Sequence, residues 1–143
     1  MFDGASKGNL GKAGGGGILL DTSGRLILSY AWGLGQTSNN AVEFLALWQG
    51  LHQAKDLNLT KLSVFRDSRV TIQACSQRKR PKNFVLAQVY KKILTEVKEF
   101  ESIKFYHVLR SLNHLVDHEA NVGATLSKGV IIANGTESSC PIQ

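Results

Sequence analysis

The strongest constraint on the fold is the order in which the hydrophobic period changes along the chain. A short apolar opening ends in Asp3, and two further strand-like runs follow over 14–21 and 25–33. Asp21-Thr22-Ser23-Gly24 joins these runs as a hairpin turn with glycine at its end. The period then becomes helical from about Ala41 to Asp56, with Phe44, Leu47, Trp48, Leu51 and Ala54 on the buried stripe. Lys61 to Arg66 reads as a strand. A short helix opens at Asp67-Ser68, turns Val70, Ile72 and Cys75 inward, and stops at the basic run Arg78–Lys82. Leu86, Val89, Tyr90, Ile93, Val97 and Phe100 recur every three or four residues and predict a helix over 83–100. Ile103–Leu109 alternates as a strand, and a last helix is expected over 113–127. An antiparallel opening followed by β-α-β units makes an α/β chain: a mixed sheet with helices on its faces.

No internal repeat or interdomain linker interrupts this order. Residues 1–127 are read as one domain. Residues 128–143, small and polar apart from Val130-Ile131-Ile132, are expected to form a poorly ordered tail. No apolar run approaches the roughly 20 residues of a membrane span, so no membrane partner is expected. No basic stretch leads into an apolar run at the start, as it does in a signal peptide. Cys75 and Cys140 form no CxxC pair and read as reduced thiols of an intracellular protein. A net charge of +6 favours a polyanionic partner, nucleic acid above all.

Four acids fall at the ends of predicted elements. Asp3 ends the first strand, Glu43 sits in the first turn of the first helix, Asp67 ends the fourth strand, and Asp117 lies early in the last helix. In a mixed sheet such ends can converge on one edge. Four carboxylates there would hold hard divalent cations, and two such ions can drive phosphodiester hydrolysis. Each acid also has an ordinary reading. Asp3-Gly4 could form a turn, Glu43 could close a capping box with Asn40, Asp67 or Ser68 could cap a helix, and Asp117 could be a solvated helix residue. The loop with Ser6, Lys7 and Asn9, which follows Asp3 and precedes the glycines Gly14–Gly17, is a place where backbone can approach a ligand closely.

These residues carry a resemblance. Phe2-Asp3-Gly4-Ala5-Ser6-x-Gly8-Asn9, then Asn39-Asn40-x-x-Glu43, then Asp67-Ser68, then Asn113-x-x-x-Asp117 resembles ribonuclease H type 1, nearest to the short domains of plant genomes and retroelements. The resemblance runs from Phe2 to about Leu126. It implies an RNase H-like fold, with a five-stranded mixed sheet (three antiparallel strands, then two parallel) and about four helices. It implies endonucleolytic cleavage of the RNA strand of an RNA/DNA hybrid by a monomer with two Mg²⁺ ions, for which Mn²⁺ can substitute. Asp3, Glu43, Asp67 and Asp117 would be the catalytic metal ligands, with Asp3 bridging. Gly4, Ser6, Gly8, Asn9, Asn40, Ser68 and Arg69 fall where the family contacts its substrate.

The sequence departs from the family pattern at several places. The first strand is expected to be short, because only two residues precede Asp3. Leu10 and Lys12 stand where prolines are usual, and Arg66 where a small polar residue is usual. His107, His114 and His118 lie near the place of a family histidine that assists proton transfer, and none matches it. The basic run Arg78–Lys82 is a short counterpart of the family's substrate-binding protrusion. A nucleotide-binding loop is excluded, because Ala13 follows Gly11-Lys12 and a strand follows the glycines. His114 and His118 have zinc-hydrolase spacing, but Leu115 occupies the place of the required glutamate. The remaining alternative is a catalytically inactive RNase H-like domain that binds nucleic acid or a protein.

Overall fold

A computed structural model describes residues 2–6, 12–23, 25–37, 39–66, 84–107, 114–134 and 136–140, of which 2–6, 12, 39–40, 66, 107, 114–117 and 136 are described by backbone alone. The elements are β1 Phe2–Ser6, β2 Lys12–Leu20, β3 Leu26–Gln36, α1 Asn39–Asp56, β4 Lys61–Arg66, α2 Phe84–Val97, β5 Ser102–His107, α3 His114–Ala124, β6 Val130–Ala133 and β7 Thr136–Ser139. The expected order is present. The short helix expected after Asp67, Cys75 and the basic run Arg78–Lys82 lie outside the described residues.

Antiparallel pairing joins β1, β2, β3, β6 and β7 into one sheet, and β4 pairs parallel with β5. β4 runs close to β1. The mixed antiparallel and parallel arrangement is therefore as expected, with two more strands than the expected five.

The β2–β3 turn is held by one carboxylate. Asp21 Oδ1 accepts from the Ser23 and Arg25 backbone N–H groups at 2.9 Å, and from Ser23 Oγ. The strands reach beyond their expected ends, because β3 continues to Gln36 instead of giving way to a loop at Gly33.

α1 is buried more widely than its predicted stripe. Ala41, Val42, Leu45 and Ala46 join Phe44, Leu47, Leu51 and Ala54 inside, whereas Trp48 is half-buried. The helix packs on β1 and β2 on one side and on α2 on the other, which leaves little of it for solvent. It stops in a Schellman turn: Asn58 takes φ 59°, its N–H donates to the Lys55 carbonyl, and Leu59 N–H donates to that of Ala54.

Glu96 of α2 is the one buried acid among the described residues. It lies 3.6 Å from His52 and 3.7 Å from Lys55, both on α1. His52 stacks on Trp48 with centroids 5.1 Å apart, and Lys92 sits over the other ring. The α1–α2 seam is thus polar at its outer end and apolar inside, where Ile93 and Phe44 are fully buried.

The segment expected as a poorly ordered tail is instead a hairpin. β6 pairs with β3 through Tyr30↔Ala133, Ala31↔Ile132 and Trp32↔Ile131, and β7 pairs with β6. The β-branched run Val130–Ile132 suits a strand, and the edge of β3 offered unpaired backbone groups to it. Trp32 Nε1 donates to the Cys140 carbonyl at 3.0 Å, and the fully buried Gln49 amide donates to Cys140 Sγ at 3.3 Å. Asn134, at φ 50°, binds back to Ser29 and Ile27.

Candidate active site

β1, which carries Asp3, is the meeting point of the elements that carry Glu43 and Asp117 and of β4, which ends one residue before Asp67. α1 packs against it from one side and α3 from the other, and β4 lies beside it. The two helices reach opposite faces of the sheet because of the glycine run. A Cβ at Gly16 would stand 2.4 Å from the Ala120 nitrogen, and one at Gly14 would stand 2.0 Å from that of Ala124, both on α3. A Cβ at Gly15 would instead meet Ala46 on α1 at 3.3 Å. Alternate glycines of β2 therefore seat alternate helices, as the two-residue period of a strand requires.

Asp3 pairs with Gly16 within β1. It lies inside the strand and not at its end or in a turn, and so does Gly4, which pairs with Gly15. This corrects the expected position of the first acid. Because Asp3 is in register with Gly16, it is level with the turn of α3 that holds Glu119 and Ala120. Asp117 is the fourth residue of α3, one helical turn before Ala120. β1, β2 and α3 thus set Asp3 and Asp117 about one helical turn apart along the sheet by backbone alone.

Glu43 is the fifth residue of α1 and is half-buried. Its charge acts on Tyr30. Burial pushes the Tyr30 phenol well above its ordinary value, a backbone hydrogen bond from Gly50 opposes the shift, and Glu43 adds to it. The Tyr30 hydroxyl donates to the Ala46 carbonyl, which ties β3 to α1 one turn beyond Glu43. Asn40 is the second residue of α1, within its first turn. β4 ends at Arg66, the residue before Asp67.

Asp67, Ser68, Arg69, Gly8 and Asn9 lie outside the described residues, while Ser6 ends β1 opposite Ala13. Of the four acids only Glu43 has a described side chain, and among the described residues no three ligating groups cluster. His107 ends β5, His114 begins α3, and His118 on α3 is exposed. No described helix is long and apolar enough to cross a membrane.

Comparison with known proteins agrees with this fold. A family model described as reverse transcriptase-like matches residues 1–123. A bifunctional protein of Mycobacterium tuberculosis is 30% identical over 120 residues, which are 83% of this chain and 33% of that protein. The chain thus spans about a third of the length of the mycobacterial relatives it matches. Among solved structures, RNase H1 from the halophilic archaeon Halobacterium salinarum aligns with a TM-score of 0.81 and 26% identity, over 85% of this chain and 92% of that one. LC11-RNase H1 in complex with an RNA/DNA hybrid aligns with a TM-score of 0.78 and 26% identity, over 86% of this chain and 93% of that one.

Proposed function

The chain belongs to the reverse transcriptase-like family and has a ribonuclease H-type fold, and from that premise we propose that it cuts the RNA strand of RNA/DNA hybrids. The supporting observation is that β1 touches α1, α3 and β4, the three elements that bear or lead into the other acids. In this reading Asp3, Glu43, Asp67 and Asp117 are the catalytic set, the residues that would hold the divalent ions.

The donor set is carboxylate oxygen throughout, which fits Mg²⁺ and, as a substitute, Mn²⁺. Such ions, when bound, supply water activation and charge stabilisation at the leaving oxygen. The chain supplies placement. β1 carries Asp3 between two helices packed on opposite faces, so the acid-bearing backbones have little freedom to move. Tyr30 ties α1 to the sheet one turn past Glu43. Four acids drawn together repel one another, so a divalent cation should stabilise the folded chain by preferential binding.

Gly4, Ser6, Gly8, Asn9, Asn40, Ser68 and Arg69 are the proposed hybrid contacts. Asn9, Asn40 and the backbone at Gly8 would read the 2′-hydroxyls that distinguish RNA from DNA. The net charge of +6 favours the polyanion and predicts weaker binding as salt rises.

The test is cleavage of an end-labelled hybrid in Mg²⁺, in Mn²⁺ and in EDTA, beside Asp67→Asn. The expected result is cutting of the RNA strand alone, absent in EDTA and reduced by about 10³-fold or more in the variant. Folded protein that binds the hybrid but leaves it uncut in both metals would establish the inactive binding domain instead.

A further inference from the structure

The two-stranded sheet carries a surface that the proposed active site does not use. β4 reads Lys61-Leu62-Ser63-Val64-Phe65-Arg66 and β5 reads Ser102-Ile103-Lys104-Phe105-Tyr106-His107. Their parallel register sets Leu62 beside Ile103 and Val64 beside Phe105, and these four pack toward the core. The other face then carries Lys61 with Ser102, Ser63 with Lys104, and Phe65 with Tyr106. Phe65 is 36% exposed and Tyr106 42%. Their rings are nearly parallel, 18° apart in plane with centroids 5.2 Å apart. Lys61 and Lys104 are exposed on the same face, and none of its six positions is acidic.

We propose that this outer face of β4–β5 is a binding platform for an unpaired nucleic-acid strand. Two solvent-facing, near-parallel aromatic rings offer π-faces on which bases stack whatever their sequence, and the lysines below them suit the strand's phosphates. Paired bases present no free face to such rings, so the occupant is single-stranded. A protein partner fits less well, because lysine is depleted from the cores of protein interfaces, whereas here two lysines flank the rings. The charge of the whole chain, +6, points the same way. The face spans about 13 Å from Lys61 to Phe65 at the strand rise, room for two or three nucleotides. β4 then leads directly into Asp67, so a strand bound here runs up to the candidate active site.

Binding to this face needs no cleavage and is measured without it. Fluorescence anisotropy of labelled 12-mers of oligo(U) and oligo(dT) in EDTA reads the affinity of the whole chain. It is compared with Phe65→Ala/Tyr106→Ala, Lys61→Gln/Lys104→Gln and the conservative Phe65→Tyr, each checked for native circular dichroism. The double aromatic variant should bind about tenfold or more weakly, and Phe65→Tyr should bind as the parent does. The lysine variant should lower the salt slope by about 1.4, the value for two phosphate contacts on a single strand. Parent-like binding by the folded double aromatic variant overturns the proposal. So does self-association of the parent that the double variant abolishes while strand binding is unchanged. Loss of hybrid cleavage in the parent bears only on the proposed activity, since this assay is done without metal.

Discussion

The outer face of the strands differs between the β1–β3 part of the large sheet and the two-stranded β4–β5 sheet. Over β1–β3 it is closed: α3 presses so near that Gly14 and Gly16 have no room for a methyl group. Over β4–β5 it is open, with two aromatic rings and two lysines facing outward. The first half is built from the smallest side chains and is the more tightly packed. The second has large ones and is exposed. Side-chain size therefore reports how near the next layer comes, and glycine in this sheet marks rigidity instead of flexibility.

Substitution at Gly16 should break the closed half most severely. In Gly16→Val the added carbons meet the α3 backbone, which cannot rotate away as a side chain can. Stability should fall by about 3 kcal/mol or more, and the melting temperature by roughly 6–12 °C in calorimetry. Because Asp3 is in register with Gly16, and α3 carries Asp117, hybrid cleavage measured well below the transition should also fall in this variant.

A milder perturbation acts through Tyr30, whose ring lies over Gly17. Its hydroxyl proton is held in the folded chain and released at about pH 10 in the unfolded one. The folded state therefore binds more protons above that pH, and stability must drop as pH rises, by about 1.4 kcal/mol per pH unit for this one group. Tyr30→Phe should lose this component of the alkaline slope in urea titrations at pH 9 to 11, at the expense of the Ala46 hydrogen bond. Gln49→Ala should cost about 1–2 kcal/mol in the same titrations, because it removes the buried amide that reaches Cys140. The smallest effect is expected in the open half. Lys104→Val introduces a β-branched side chain that nothing crowds, and its midpoint should stay within about 0.5 kcal/mol of the parent.

Much of this architecture was legible in the sequence. The period of α2 and the turn at Asp21–Gly24 predicted their elements closely, since each depends on local chemistry. The width of the α1 core was not legible, because a helix between a sheet and another helix buries residues outside a single stripe. The β6–β7 hairpin was missed although Asn134-Gly135, a strong two-residue turn signal, lies between its strands. Small polar residues in β7 hid the pairing, which rests on backbone hydrogen bonds. For the candidate site, the spacing of the acids was legible and the packing of the elements around β1 was not. That packing depends on which helix lies on which face, and the alternation of glycines along β2 sets it.

The bond from Trp32 to Cys140 spans 108 positions of chain. Until that span closes, the indole N–H of a fully buried tryptophan and the amide of a fully buried glutamine both lack their partners at Cys140. Loop closure of that length is entropically costly, and pairings of this kind slow folding across two-state proteins. On the ribosome, β3 and α1 would be made long before the segment that completes them. The native core therefore closes only after the segment up to Cys140 has been made, and the sheet edge that β6 covers stays open to other strands until then.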